Sequence, residues 1–180
     1  MTHYLAFLRA INVGGHLVKM ETLRQIFTDL GLAQVETFIA SGNLSFETDA
    51  TEPAALEKTL EDKLYEVLGY AVATFLRTPA ELAEMLANLP FSTEEVENSA
   101  ALNVAFLSAP LSNEAQAKLR ALETPLDRLE TRGREIYWLG RVKQSASTLS
   151  NALFEKKLGV KSTLRGWSTL QKLAAKYPPQ

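Results

Sequence analysis

The sequence predicts an α+β fold built as two β-α-β-β-α-β halves. Three observations carry this expectation. Short apolar runs alternate with amphipathic stretches in the order strand, helix, strand, strand, helix, strand, and the order recurs in the second half of the chain. Ala105-Phe106-Leu107 in the second series echoes Ala6-Phe7-Leu8 in the first. A glycine-centred turn, Ser41-Gly42-Asn43 in one half and Arg132-Gly133-Arg134 in the other, separates the second strand from the third.

Taken in order, residues 3–10 are a short apolar run, with Leu5, Phe7 and Arg9 on one face and Tyr4, Ala6 and Leu8 on the other. A helix follows over 19–30, where Met20, Leu23, Ile26, Phe27 and Leu30 keep helical spacing and Gly31 supplies the stop. Residues 35–40 and 43–47 read as two strands about the turn at Gly42. Thr51 and Pro53 open a second helix with an apolar stripe of Leu56, Leu60, Leu64, Val67 and Leu68, and residues 71–77 return as a strand. This is the ferredoxin-like split unit. Thr78-Pro79-Ala80-Glu81 has the form of a capping box with proline at the first helical position, so a helix runs on to about Leu89.

Residues 90–101 are polar, acidic and without period, which makes them the expected linker between a first half at 1–89 and a second at 102–180. The second half opens with a strand at 102–107. Ser112 caps a helix carrying Leu119 and Leu122, strands at 126–131 and 135–139 flank Gly133, and a helix with Leu149, Leu153, Phe154 and Leu158 stops at Gly159. A strand at 161–165 and a final helix capped by Ser168, presenting Leu170, Leu173, Ala174 and Tyr177, complete it. Such halves pair face to face or join into one sheet, and either arrangement leaves a cleft of the kind ligands favour.

Composition narrows the chemistry. The 180 residues are 46% apolar and 22% charged, an average globular balance. With no cysteine, disulfides, zinc thiolate sites and thiol nucleophiles are excluded, and with two histidines, so is a multi-histidine metal site. No stretch reaches the ~20 apolar residues of a membrane helix. The first fifteen residues carry Arg9 within a short apolar run and no positive leader, so no signal peptide and a cytoplasmic setting are expected. Charge is divided along the chain. From Arg132 onward ten Lys/Arg face two Asp/Glu, leaving +8, so the remaining residues carry −10 of the net −2. Either the basic third attracts an anionic partner, or it neutralises the acidic part within one fold.

Three segments occur together: FLRAINVGG (7–15) followed by Lys19-Met20, FIASGNLSF (38–46) and KLGVKSTLRGWSTLQKL (157–173). In this order they resemble an uncharacterised bacterial family, a domain of unknown function whose members open with FLRGINVGG, carry an SGN turn and close with a TTRNW-type motif. Ala10, Leu164 and Gly166 stand where that family usually has glycine, often threonine and usually asparagine. The resemblance spans essentially the whole chain and implies an identity without a mechanism.

The residues themselves point to an anion. In INVGG (11–15), Gly14 and Gly15 permit positive φ, so successive amides can form a nest beside a helix N-terminus, with Asn12 in the loop and Arg9 and Lys19 bracketing it. GxGxxG and GxxxxGK are both absent. Ser41 and Asn43 suit hairpin chemistry, and Ser41 lacks the G-x-S-x-G context of a nucleophile. Arg165 and Trp167 offer a guanidinium and an indole for phosphate pairing or stacking, or they serve the last helix as a surface charge and a staple. The first reading is therefore a small phosphate- or carboxylate-bearing ligand at Arg9, Asn12, Gly14, Gly15 and Lys19, joined by Ser41, Asn43, Arg165 and Trp167. No cofactor and no metal are expected. Two other readings stand beside it: nucleic-acid association through the basic third, and a non-catalytic interaction module. An RNA-recognition module of the same topology is a poor match, because residues 41–48 hold one aromatic and no basic residue.

Overall fold

The structure, a computed structural model, describes residues 1–9, 11, 15–39 and 42–180. Apolar alternation forms the first strand, β1 (Thr2–Leu8), with Tyr4, Ala6 and Leu8 on one face, Leu5 and Phe7 on the other, and all five buried. It is central to its sheet. β3 (Asn43–Thr48) and β4 (Thr74–Arg77) flank it, both antiparallel, and β2 (Ala33–Thr37) lies outside β3, giving the order β2-β3-β1-β4. Helices α1 (Met20–Asp29) and α2 (Pro53–Leu68) cover one face of this sheet. Leu23, Ile26 and Phe27 of α1 and Leu56, Leu60 and Leu64 of α2 close on Tyr4, Ala6, Leu8, Leu44, Phe46 and Leu76. Val67, expected on that stripe, is exposed, because Leu68 continues the i, i+4 row. The strand expected over 71–77 is shorter, and that expected over 35–40 begins earlier, with a register shift between Ala33 and Glu36 around Gln34 at φ 50°.

Both arms of the expected capping box form: the Thr78 amide donates to Glu81 Oε2 (2.7 Å) and the Glu81 amide to Thr78 Oγ1 (3.2 Å), opening α3 (Pro79–Ala87). The 90–101 stretch is not structureless. Ser92 and Glu95 make a second capping box for the short helix α4 (Thr93–Glu97), Phe91 is buried, and β5 (Ala101–Phe106) starts at its end. Polar composition hid this helix because its stability comes from its cap and not from an apolar stripe.

The second half repeats the first. After β5 come α5 (Asn113–Arg120), β6 (Asp127–Arg132), β7 (Glu135–Gly140), a 3₁₀ turn (Gln144–Ala146), α6 (Asn151–Leu158), β8 (Thr163–Gly166) and α7 (Trp167–Lys176). Their sheet has the order β6-β7-β5-β8, again antiparallel throughout. Ala115, Leu119, Phe154 and Leu158 cover Ala105, Leu129, Ile136 and Trp138. Ser112 accepts from the Ala115 amide (3.1 Å) and caps α5 as expected. Ser168 does not cap α7, since that helix starts at Trp167 straight from β8. The fold is thus α+β with two ferredoxin-like halves, each closing its own four-stranded sheet.

The duplication extends to register. Leu5 of β1 stands opposite Arg77 of β4, and Val104 of β5, its counterpart in the AFL echo, stands opposite Arg165 of β8. By contacts the chain forms two compact units, Met1–Ala83 with Lys176–Gln180, and Glu84–Ala175. Among the described residues no helix is long and apolar enough to cross a membrane.

Candidate functional site

Because β1 and β3 are antiparallel, with Phe7 opposite Asn43, β3 begins where β1 ends. The turn before β3 and the loop after β1 therefore meet at one end of the first sheet. The Leu8 amide donates to the Gly42 carbonyl (2.8 Å), and the Arg9 amide to the Ala73 carbonyl (2.8 Å). Gly42 is buried at φ 76°, and a Cβ there would stand 3.0 Å from Leu8 Cβ and 3.2 Å from Ile11 Cγ2. Only glycine fits both the conformation and the space.

Arg9, just past β1, is half-buried, and Ile11 is buried. Tyr70 Oη donates to the Ile11 carbonyl (2.9 Å), burial pushes its phenol up, and the exposed His16 ring stacks on it at 4.0 Å. Sequence pattern does not single out Tyr70, because its bond joins residues 59 positions apart. Gly15 adopts φ 84° and is exposed. Lys19 stands at the N-terminal end of α1 in extended conformation, exposed and without a side-chain cap bond. Asn12, Gly14 and Ser41 lie outside the described residues.

Asn43 has a structural part in this end of the sheet. It is buried, its Nδ2 donates to the Phe38 carbonyl (3.1 Å), and its own carbonyl accepts from the Phe38 amide (2.9 Å). Between these fastened residues Ile39 sits at φ 54°, a conformation that β-branched side chains rarely adopt.

Arg165 and Trp167 belong to the second unit. Arg165 is buried, and its Nη1 donates to Thr163 Oγ1 (2.7 Å) and the Leu164 carbonyl (2.8 Å). Burial pushes its guanidinium down to about 10, so it stays charged at neutral pH. Its counterpart Arg77 is buried too and donates Nη1 to the Leu76 carbonyl (2.7 Å). The signal for Arg77 was available: a Leu-Arg pair closes β4 at Leu76-Arg77 and recurs at Leu164-Arg165, one residue before the end of β8. Trp167, the first residue of α7, is half-buried.

A cleft of about 430 Å³ lies within the second unit, lined by α4 residues Glu94 and Glu95 and by Leu126, Arg128, Leu139 and Arg141. Its charges serve the fold. Arg128 pairs with Glu95 and with Glu130 (3.3 Å) and lies over the Phe91 ring (5.4 Å), while Asp127 accepts from Trp138, Ser147 and Thr124. Among the described residues no cluster of three His, Asp or Glu is arranged to hold a metal ion.

None of the curated proteins matches the chain. Among solved structures it is similar to the conserved bacterial protein SP0830 from Streptococcus pneumoniae, with 29% identity, a TM-score of 0.76 and 97% of each chain covered. Residues 1–137 match the family described as protein of unknown function (DUF1697), a stretch that holds the 7–15 and 38–46 segments and ends before 157–173. On that match, the chain belongs to the DUF1697 family.

Proposed function

We propose that the protein binds a small phosphate- or carboxylate-bearing ligand at the end of the first sheet where the loop after β1 meets the turn before β3. The observation that carries this reading is the seating of Gly42 on Leu8 and Ile11, which sets the turn before β3 against the residues that flank Arg9. A half-buried guanidinium strengthens a charge-assisted bond to an anion, because less of its charge is screened by water. Lys19 adds a second cation at the start of α1, and the amides of a glycine loop add donors.

The test is thermal unfolding with inorganic phosphate, pyrophosphate, succinate and a short oligonucleotide. A ligand at about 100 times its dissociation constant contributes about 2.7 kcal/mol, a rise of roughly 5–10 °C for a chain of this size. The expected result is a rise with phosphate or carboxylate that Arg9→Ala abolishes and the Lys156→Ala/Lys157→Ala pair leaves intact. Lys156 and Lys157 are exposed on the last turn of α6, where solvation is the default. An unchanged rise in Arg9→Ala, or none in the native chain, overturns the reading. Binding to the oligonucleotide alone, with steep loss in salt, transfers it to the nucleic-acid alternative.

A further inference from the structure

The last residues of the chain return to the first unit and make a set of contacts that the anion reading does not use. Tyr177 is buried, with its ring against the ring of His3 (5.4 Å, 84°) and that of Phe38 (6.5 Å, 75°). Its hydroxyl donates to Glu36 Oε2 (2.7 Å). Lys176 Nζ stands 3.3 Å from the same oxygen and lies over the Phe38 ring (5.4 Å). Behind this group, His3 Nε2 is 2.6 Å from the buried Ser45 Oγ.

The place they fasten is one the sheet holds weakly. β2 is an edge strand, its pairing with β3 slips between Ala33 and Glu36, and Gln34 and Ile39 both have positive φ. Strained residues persist where the surroundings over-determine them. Glu36 and Phe38 are the residues on either side of Thr37, where β2 ends, and Phe38 is bonded in both directions to Asn43. Next to Asn43 is Gly42, seated on Leu8 and Ile11.

We infer that Lys176 and Tyr177 form a clasp that holds Phe38 and its partner Asn43, and with them Gly42, in the position that Leu8 and Ile11 require. The clasp is a positioning device and stands on its own contacts. Its consequence for ligand affinity rests on the anion reading above.

Hydrogen exchange of the Phe38 amide in the full chain tests it, because that amide's bond to Asn43 breaks when the hairpin opens. Y177F keeps the ring between His3 and Phe38 and removes only the charge-assisted bond, so the chain folds. The expected result is about tenfold faster exchange at Phe38 in Y177F, the strength of one such bond, at least as much in E36A, which also loses the Lys176 pair, and a double variant little faster than E36A because the Tyr177 bond is already gone there. Unchanged Phe38 exchange in Y177F, or effects that simply add in the double variant, overturns the clasp. Phosphate binding measured on the same proteins separates the two readings. Faster exchange with no phosphate binding in the native chain keeps the clasp and sinks the anion site. Phosphate binding in the native chain with unchanged exchange in Y177F does the reverse.

Discussion

At Gly42 a single added methyl group is expected to cost stability for two separate reasons. These are the φ of 76° and the 3.0 Å approach to Leu8 Cβ. Gly31 has the first reason only: φ is 80°, and a Cβ there would meet nothing within 4 Å. Gly31→Ala therefore costs about 1 kcal/mol of left-handed strain. Gly42→Ala adds overpacking against a buried strand and costs about 2–4 kcal/mol. Urea denaturation of both variants checks the difference, and equal costs would show that Leu8 and Ile11 give way. The residues beside Gly42 also show how a motif divides its labour. Asn43 closes the hairpin through Phe38, which accounts for an amide there without a ligand.

At the scale of elements, each half is tied by polar contacts that helical or strand periodicity does not encode. Asp127, buried at the start of β6, accepts from Trp138 Nε1 on β7 (2.8 Å), Ser147 Oγ after the 3₁₀ turn (2.9 Å) and Thr124 Oγ1 (2.7 Å). Removing the carboxylate leaves the Trp138 N–H buried beneath α6 without its acceptor, and Trp138 packs edge-on to Phe154 there. Asp127→Ala is expected to cost about 2–4 kcal/mol. Asp127→Asn keeps an oxygen for Trp138 and Ser147, so its denaturation midpoint should fall between those of the native chain and the alanine variant. The capping boxes at Thr78 and Ser92 do the same work at helix starts, and the second of them turns a polar stretch into α4.

Over the whole molecule, the division of charge along the chain is not the division between compact units. The second unit holds twelve Lys/Arg and ten Asp/Glu, a balance of +2 in place of the +8 counted from Arg132 onward. The acidic residues of α4, α5 and β6 share a unit with all of the basic third's cations except Lys176. The first unit is closed by both ends of the chain, and this gives it a pH dependence. Burial holds the His3 imidazole below its ordinary 6.5, against the opposing charges of Glu47 and Glu36. The Tyr177 hydroxyl, and then Lys176, hold the Glu36 carboxyl below its ordinary 4.5. Both groups take up protons more readily unfolded than folded. Their contribution is therefore complete above about pH 6.5, falls as His3 titrates below that value, and falls again as Glu36 titrates below 4.5. Denaturation midpoints should decline from about pH 7 to pH 4, with a smaller decline below pH 5 in E36Q. A flat profile in the native chain would remove the electrostatic part of this closure.

The succession of strands and helices and the faces they bury were legible because each is a matter of period: alternation by two buries Ala6 and Leu8 beneath helices, and spacing by three and four buries Leu56, Leu60 and Leu64. The meeting of the loop after β1 with the Gly42 turn was legible as well, since an antiparallel neighbour must begin where β1 ends. What periodicity could not reach were contacts between residues far apart in the chain and set by side-chain geometry. The bond of Tyr70 to the Ile11 carbonyl and that of Tyr177 to Glu36 are of this kind, joining residues that only the folded chain brings together. Local pattern states which face a residue occupies. The pairing of strands, whose register a buried face fixes, states what stands opposite it.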